Sequence, residues 1–451
     1  MKREITKKFE KLTYPQLIAL GYLSLITMGT LLLSLPISSK SQLSIGFINV
    51  LFTATSATCV TGLVIADTYA QWSLFGQLVI ITLIQIGGLG FMTIVTLFSF
   101  LLRRKIGLKE RGLLRESVNT MYVGGIVRMI RKILIGTMLF EGLGAILLSI
   151  RFIPRMGLAE GIYNGIFHSI SAFCNAGFDL MGKYGEYSSL ITFSDDAVVC
   201  LTIIMLIIIG GIGFFVWDDI SKNKLHFKRY QLHSKIVLSM TAILILSGTV
   251  GFYIFEGRNL FAEMPLSERI TASIFAAVTP RTAGFSTVDA AALTPASKLL
   301  TMLLMFIGGS PGSTAGGVKT ITLAVILISL WSSLRNAKWD NLFGRRLEDN
   351  VLKRASAVVT INSIITLSAV FCISASNTAL HLVDILFECL SAVGTVGLST
   401  GITGTLNSFS LIILALLMYT GRVGSVSFAL LFTEHRDLSS VQNPTEKINI
   451  G

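Results

Sequence analysis

Apolar residues in this chain run in blocks too long to be one face of a soluble helix. Such stretches occupy 16–35, 74–102, 133–150, 197–216, 236–255, 299–307, 321–331, 355–373 and 411–432. A helix needs about 20 apolar residues to cross a bilayer, so most of these are predicted membrane spans. The two on either side of residues 308–320 are too short alone; paired as one interrupted span, they bring the predicted crossings to eight. Between crossings lie four shorter segments, 48–57, 163–172, 269–278 and 383–392. At 1.5 Å per residue each is about 15 Å long, half the hydrocarbon core. Each is therefore predicted to enter and return on the outer side, as a re-entrant helix followed by a non-helical leg.

The return legs repeat. They read Val60-Thr61-Gly62, Asn175-Ala176-Gly177, Thr282-Ala283-Gly284 and Thr395-Val396-Gly397, each followed by Leu or Phe. Each is preceded by a phenylalanine, Phe52, Phe167, Phe275 or Phe387; the third lies 9 residues before its glycine, the others 10. The glycines are separated by 115, 107 and 113 residues. Four units follow: 1–120, 121–232, 233–349 and 350–451. The predicted class is an all-α integral membrane protein, with four tandem helix–pore-loop–helix repeats arranged with pseudo-fourfold symmetry around a central pore. Irregular backbone at membrane depth survives only where protein or a watery cavity satisfies it. Four such legs in a ring could present their carbonyls to a dehydrated monovalent cation.

A second landmark recurs after each glycine. Gly88, Gly211, Gly309 and Arg422 lie 26, 34, 25 and 25 residues beyond it, in Ile-Gly-Gly-Leu-Gly, Ile-Gly-Gly-Ile-Gly, Ile-Gly-Gly-Ser-Pro-Gly and Thr-Gly-Arg-Val-Gly. In the first two repeats, close packing of helices through small residues accounts for the glycines. In the third, the run Gly308, Gly309, Ser310, Pro311, Gly312, Ser313, Thr314, Ala315, Gly316 and Gly317 cannot hold a helix. It is read as an irregular loop lining the cavity beneath the legs and able to move as a gate, the competing reading being a passive kink. In the fourth, Arg422 inside an apolar span costs about 2.5–3.5 kcal/mol to insert. It is read as a pore-facing constriction, the alternative being a structural salt bridge.

Composition agrees. The chain is 52% hydrophobic and only 14% charged, with a mean hydropathy of +0.72, whereas soluble domains carry about 25% charged residues. The N-terminus has no cleavable-signal pattern, since its first apolar run is long enough to span. A net charge of +12 would fit nucleic-acid binding, but the distribution excludes it. Of 37 Lys and Arg, 27 fall in residues 1–14, 103–132, 222–235, 335–354 and after 433, which eight crossings place on one side. That asymmetry puts both termini in the cytoplasm of a cell-membrane protein; some of these residues could also contact anionic lipid. The five cysteines and five histidines make no metal or nucleophile pattern, so an enzyme is not expected. Glu141 and Glu388 are isolated, which leaves no carboxylate relay for proton coupling. A secondary cation symporter with alternating access remains the competing function; it would show two inverted halves.

The legs, the 308–317 loop and Arg422 together resemble the Ktr/Trk/HKT superfamily of potassium transporters, and the resemblance covers essentially the whole chain. Eight crossings without an extra N-terminal helix pair point to its Ktr-type membrane subunit (the KtrB/KtrD class). The resemblance implies a potassium filter at the carbonyls of the four legs, gated by the 308–317 loop, with Arg422 as a constriction. Glycine at Gly62, where sodium-permeable members carry serine, implies potassium preference. Also implied are a homodimer, sodium as an activator in several members, and a cytosolic nucleotide-binding regulatory subunit of the KtrA/KtrC type. The chain itself has no GxGxxG nucleotide motif, and no covalently bound cofactor is expected. In the third repeat Arg281 would repel ions unless turned behind the leg, where Glu388 is its expected partner.

Overall fold

The computed structural model describes residues 13–43, 45–90, 93, 112, 126–224, 226–348 and 350–424. Among the described residues, four helices are long and apolar enough to cross a membrane by themselves: α1 (Tyr14–Leu33), α4 (Ile126–Met156), α8 (Leu232–Phe255) and α12 (Val351–Ser376). They are the outer helices of the four repeats. Each is followed by a shorter helix: α2 (Phe47–Thr58), α5 (Leu158–Phe173), α9 (Leu266–Val278) and α13 (Leu382–Gly394). These re-entrant helices run 12, 16, 13 and 13 residues, longer than the ten that hydropathy marks. Their extra turns lie mostly at the N-terminal ends, where polar residues such as Glu160, Ser267 and Glu268 dilute the apolar signal. Phe52, Phe167, Phe275 and Phe387 each point into the core, no more than 1% exposed.

The inner helices are α3 (Leu74–Leu89), α6 (Ala197–Gly211), α10 (Pro295–Phe306) and α14 (Ser408–Val423). Each starts at a side-chain cap: Ser73 accepts from the Gly76 N–H, Asp196 from Val198 and Val199, Thr294 from Ser297 and Asn407 from Ser410. Such a cap stabilises a helix start by about 1 kcal/mol. The inner helices end where the sequence reading expected continuous spans. The 197–216 run is really α6 joined to α7 (Phe214–Asn223) through a 94° bend. Helix α3 stops at Gly90 and α14 at Gly424, both with left-handed φ (86° and 95°); apart from Thr93, the rest of those predicted spans lies outside the described residues. In the third repeat, residues 307–319 separate α10 from α11 (Thr320–Leu334). The last glycine of each landmark, Gly90, Gly213, Gly312 and Gly424, therefore has positive φ. The interruption expected in the third repeat alone is also found in the second, and in the first and fourth the inner helix ends at the same landmark.

The repeats close into a ring. Helix α3 packs on α5, α6 on α9, α10 on α13, and α14 returns to α2. Each inner helix thus supports the re-entrant helix of the next repeat, and the fourth supports the first. A short hairpin, β1 (Asn341–Leu342) with β2 (Arg345–Arg346), joins α11 to α12.

Candidate ion pathway

Each return leg begins as its re-entrant helix ends, and its N–H groups turn back onto that helix. Thr61, Ala176 and Val396 donate to the carbonyls of Ser56, Ser171 and Ser391, each at 2.8 Å. In the shortened third repeat, Ala283 donates to Thr279 at 3.0 Å. Hydroxyls add further ties: Gly62 N–H donates to Ser56 Oγ (3.1 Å), Gly397 N–H to Ser391 Oγ (3.0 Å), and Ser171 Oγ donates to the Phe178 carbonyl (2.7 Å). Thr279 makes the equivalent bond to the Phe285 carbonyl. Threonine one residue later thus does the work of serine, and this absorbs the one-residue irregularity of repeat three.

The legs share an unusual backbone. Val60, Asn175, Thr282 and Thr395 have φ of 56°, 59°, 70° and 52°; two residues on, Gly62, Gly177, Gly284 and Gly397 have 93°, 68°, 78° and 93°. In a regular strand successive residues face opposite sides. Alternating left- and right-handed residues instead turn the N–H groups to one side and the carbonyls to the other. Most of the N–H groups, those of Gly177, Thr282 and Gly284 excepted, are bonded to the re-entrant helices, and no carbonyl of these legs accepts a hydrogen bond from the described residues.

The glycines lie edge to edge. A Cβ on Gly62 would fall on the Ala176 carbonyl oxygen, one on Gly177 on that of Ala283, one on Gly284 on that of Val396, and one on Gly397 on that of Thr61. Every such approach is under 3.0 Å, so each glycine is required by the carbonyl preceding the next. Above the ring is a cavity of about 580 Å³ lined by all four glycines and by Asp67, Asp179, Glu186 and Asp289. Burial pushes the Asp179 carboxyl up to about 7, against the Met181 N–H that it accepts, and the nearby Asp67 adds to the rise.

Below the ring the glycine-rich loop crosses a second cavity of about 200 Å³ lined also by Arg422 and Lys319. The loop is held by backbone: Ser310 N–H to Gly211 O at 3.0 Å, Phe214 N–H to Gly312 O at 2.8 Å, and Thr320 N–H to Gly309 O at 3.1 Å. Its end is capped by Lys319 Nζ, which donates to the carbonyls of Ala315 (2.8 Å) and Gly316 (3.2 Å). The sequence reading missed Lys319, although a lysine directly after a glycine-rich break in an apolar run was the available signal. Arg422 reaches across the molecule. It donates to the carbonyls of Thr314 and Gly87, to Gly88 O at 2.9 Å and to Tyr22 Oη at 3.4 Å. Its partners are carbonyls and a phenol, so it is not in a salt bridge among the described residues.

The expected pairing of Arg281 with Glu388 is not found. Arg281 does turn behind the leg, 6% exposed, but its Nη2 donates to Thr241 Oγ1 at 3.3 Å. Glu388 instead accepts from the Ser399 and Thr403 hydroxyls. The two belong to different repeats, and each is enclosed by its own. Glu141 accepts from Gln85 Nε2 at 3.2 Å. Cys59 and Cys174 are fully buried.

Known proteins share this architecture. The family model described as TrkH, cation transport protein, matches residues 8–442. The chain is 39% identical to the potassium/sodium uptake protein NtpJ of Enterococcus hirae, over 100% of this chain and 99% of that protein. It is 39% identical to the Ktr system potassium uptake protein B of Bacillus subtilis, over 98% of each. Identity to the Ktr system potassium uptake protein D of the same organism is 33%, over 100% of both. Among solved structures, the potassium transporter TrkH of Vibrio parahaemolyticus superposes with a TM-score of 0.72, covering 93% of this chain and 84% of that one. At 16% identity this last likeness speaks to the fold.

Proposed function

This chain belongs to the TrkH family of cation transport proteins, and on that premise we propose that it takes up potassium by gated, channel-like permeation. The filter is the ring of carbonyls on Val60-Thr61-Gly62, Asn175-Ala176-Gly177, Thr282-Ala283-Gly284 and Thr395-Val396-Gly397. The loop from Gly308 to Gly317 is the gate beneath it, and Arg422 is the constriction. The observation that carries this reading is cyclic: each ring glycine abuts the carbonyl before the next, and none of those carbonyls has a donor among the described residues. A dehydrated potassium ion satisfies such a ring, as carbonyls replace its hydration shell.

Uptake is driven by the membrane potential, about 2.3 kcal/mol per charge per 100 mV, in a cell membrane with both termini cytoplasmic. The naming of two relatives for a Ktr system supports a partner subunit; the assembly proposed is a homodimer on a cytosolic nucleotide-binding subunit, with each repeat (1–120, 121–232, 233–349, 350–451) supplying one quarter of the pore. The potassium/sodium uptake name of the Enterococcus relative brings sodium into that protein's transport, and sodium as an activator of this chain is part of the same proposal. Bacteria lacking their own potassium uptake, given this chain together with a regulatory subunit of the KtrA/KtrC type, are expected to grow at limiting potassium and to accumulate rubidium. Growth and rubidium content equal to the empty-vector cells, with the chain present in the membrane, would refute the reading.

A further inference from the structure

One loop residue is held from three directions. The Thr314 N–H donates to Gly210 O at 3.3 Å. Its carbonyl accepts from Arg422. Its hydroxyl lies 3.2 Å from both the Phe173 carbonyl and Asn175 Oδ1. Repeats two and four thus grip the loop of repeat three at a single, fully buried residue.

Asn175 carries the contact onward. Its Nδ2 lies 3.4 Å from both Arg281 O and Thr282 Oγ1, on the neighbouring leg. At the corresponding position the other legs have Val60, Thr282 and Thr395, side chains too short to reach loop and neighbouring leg together. The space is closed as well: a Cβ on Gly210 would lie 2.9 Å from Asn175 Oδ1 and 3.0 Å from Thr314 Oγ1.

We propose that Thr314 and Asn175 form a latch through which the position of the glycine-rich loop sets the inner end of the ion pathway, making the Asn175 side chain a positioning residue for selectivity. With the loop in place, the Thr314 hydroxyl occupies Asn175 Oδ1, and the amide's other end orients the third leg. When the loop withdraws, Oδ1 is left buried without a donor. A buried acceptor in that state costs free energy until something satisfies it, and an amide oxygen is a good ligand for a dehydrated cation. An ion at the inner end then favours the unlatched loop, and by reciprocity loop withdrawal favours the ion.

The proposal rests on the permeation reading, and the test separates the two. Rubidium uptake and rubidium-over-sodium preference are measured in cells carrying the full chain, its Thr314→Val and Asn175→Thr variants and the double variant, at matched membrane levels. Each single change is expected to raise uptake about two- to tenfold, the range set by one hydrogen bond, while the preference is expected to move in opposite directions, because Thr314→Val frees Asn175 Oδ1 for the ion and Asn175→Thr removes it. The double variant is expected to match the larger single, because both remove one contact. Thr314→Ser, which keeps the hydroxyl, is expected to restore wild-type rate and preference. Multiplying effects, unchanged uptake and preference, or a Thr314→Ser variant as altered as Thr314→Val would overturn the latch. A wild-type chain that takes up no rubidium would overturn the permeation reading instead.

Discussion

Val60, Asn175, Thr282 and Thr395 adopt left-handed backbone at about 1–3 kcal/mol apiece, and two of the three residue types involved are β-branched. Strain of this kind persists only where the surroundings over-determine it, and here the bonds from each leg to its re-entrant helix do so. The glycines that follow were legible in the sequence because they repeat. The strained residues were not, since valine, asparagine and threonine share no signal and their conformation comes from the ring. Charge above the ring matters at the same scale. Asp179, pushed to about 7, is charged above that pH and neutral below it, beside Asp67, Glu186 and Asp289 in the vestibule. Lowering external pH from 8 to 6 removes its negative charge and with it part of the attraction for an entering cation. Rubidium uptake is expected to fall about two- to tenfold over that range, as one charge about 10 Å away would produce, and Asp179→Asn is expected to flatten the profile at the low level. A wild-type profile equally flat would contradict this.

Between elements, the decisive feature is that every inner helix ends at its glycine landmark, the last glycine of which has positive φ. Hydropathy hid it. The run 197–216 is continuously apolar although its backbone turns through 94° after Gly211, because apolarity reports depth in the bilayer and says nothing about direction. The glycine-rich third repeat was legible because proline and hydroxyls also interrupt it. At the level of these breaks Arg422 of α14 spans to the end of α3 and to the loop, filling its donors with carbonyls and leaving its charge in the cavity. On the permeation proposed above, at about 10 Å and an effective dielectric of about 20, it would oppose a passing cation by about 1.7 kcal/mol. Arg422→Gln is expected to raise maximal rubidium uptake about tenfold, while Arg422→Lys, which keeps the charge, is expected to stay near wild type. Equal rates in the two variants would assign Arg422 to holding the loop rather than to repelling ions.

At the scale of the whole molecule, the fourfold repeat could be read from the chain, whereas the way it closes could not. Nothing in the spacing says that α14 returns to α2, or that Gly397 meets the carbonyl of Thr61; those contacts join residues more than 300 positions apart in the chain. The Arg281 pairing failed for the same reason, since residues matched by charge were placed in different walls of the ring. The central claim is that this closure is an ion filter. It is tested most directly by comparing rubidium and sodium uptake in the wild type and in Gly397→Ser at matched membrane levels, because a Cβ at Gly397 falls on the Thr61 carbonyl and its φ of 93° disfavours any side chain. The account predicts strong rubidium uptake by the wild type and loss of the preference over sodium in the variant. Rubidium preference undisturbed by the serine would mean that the ring is architecture alone.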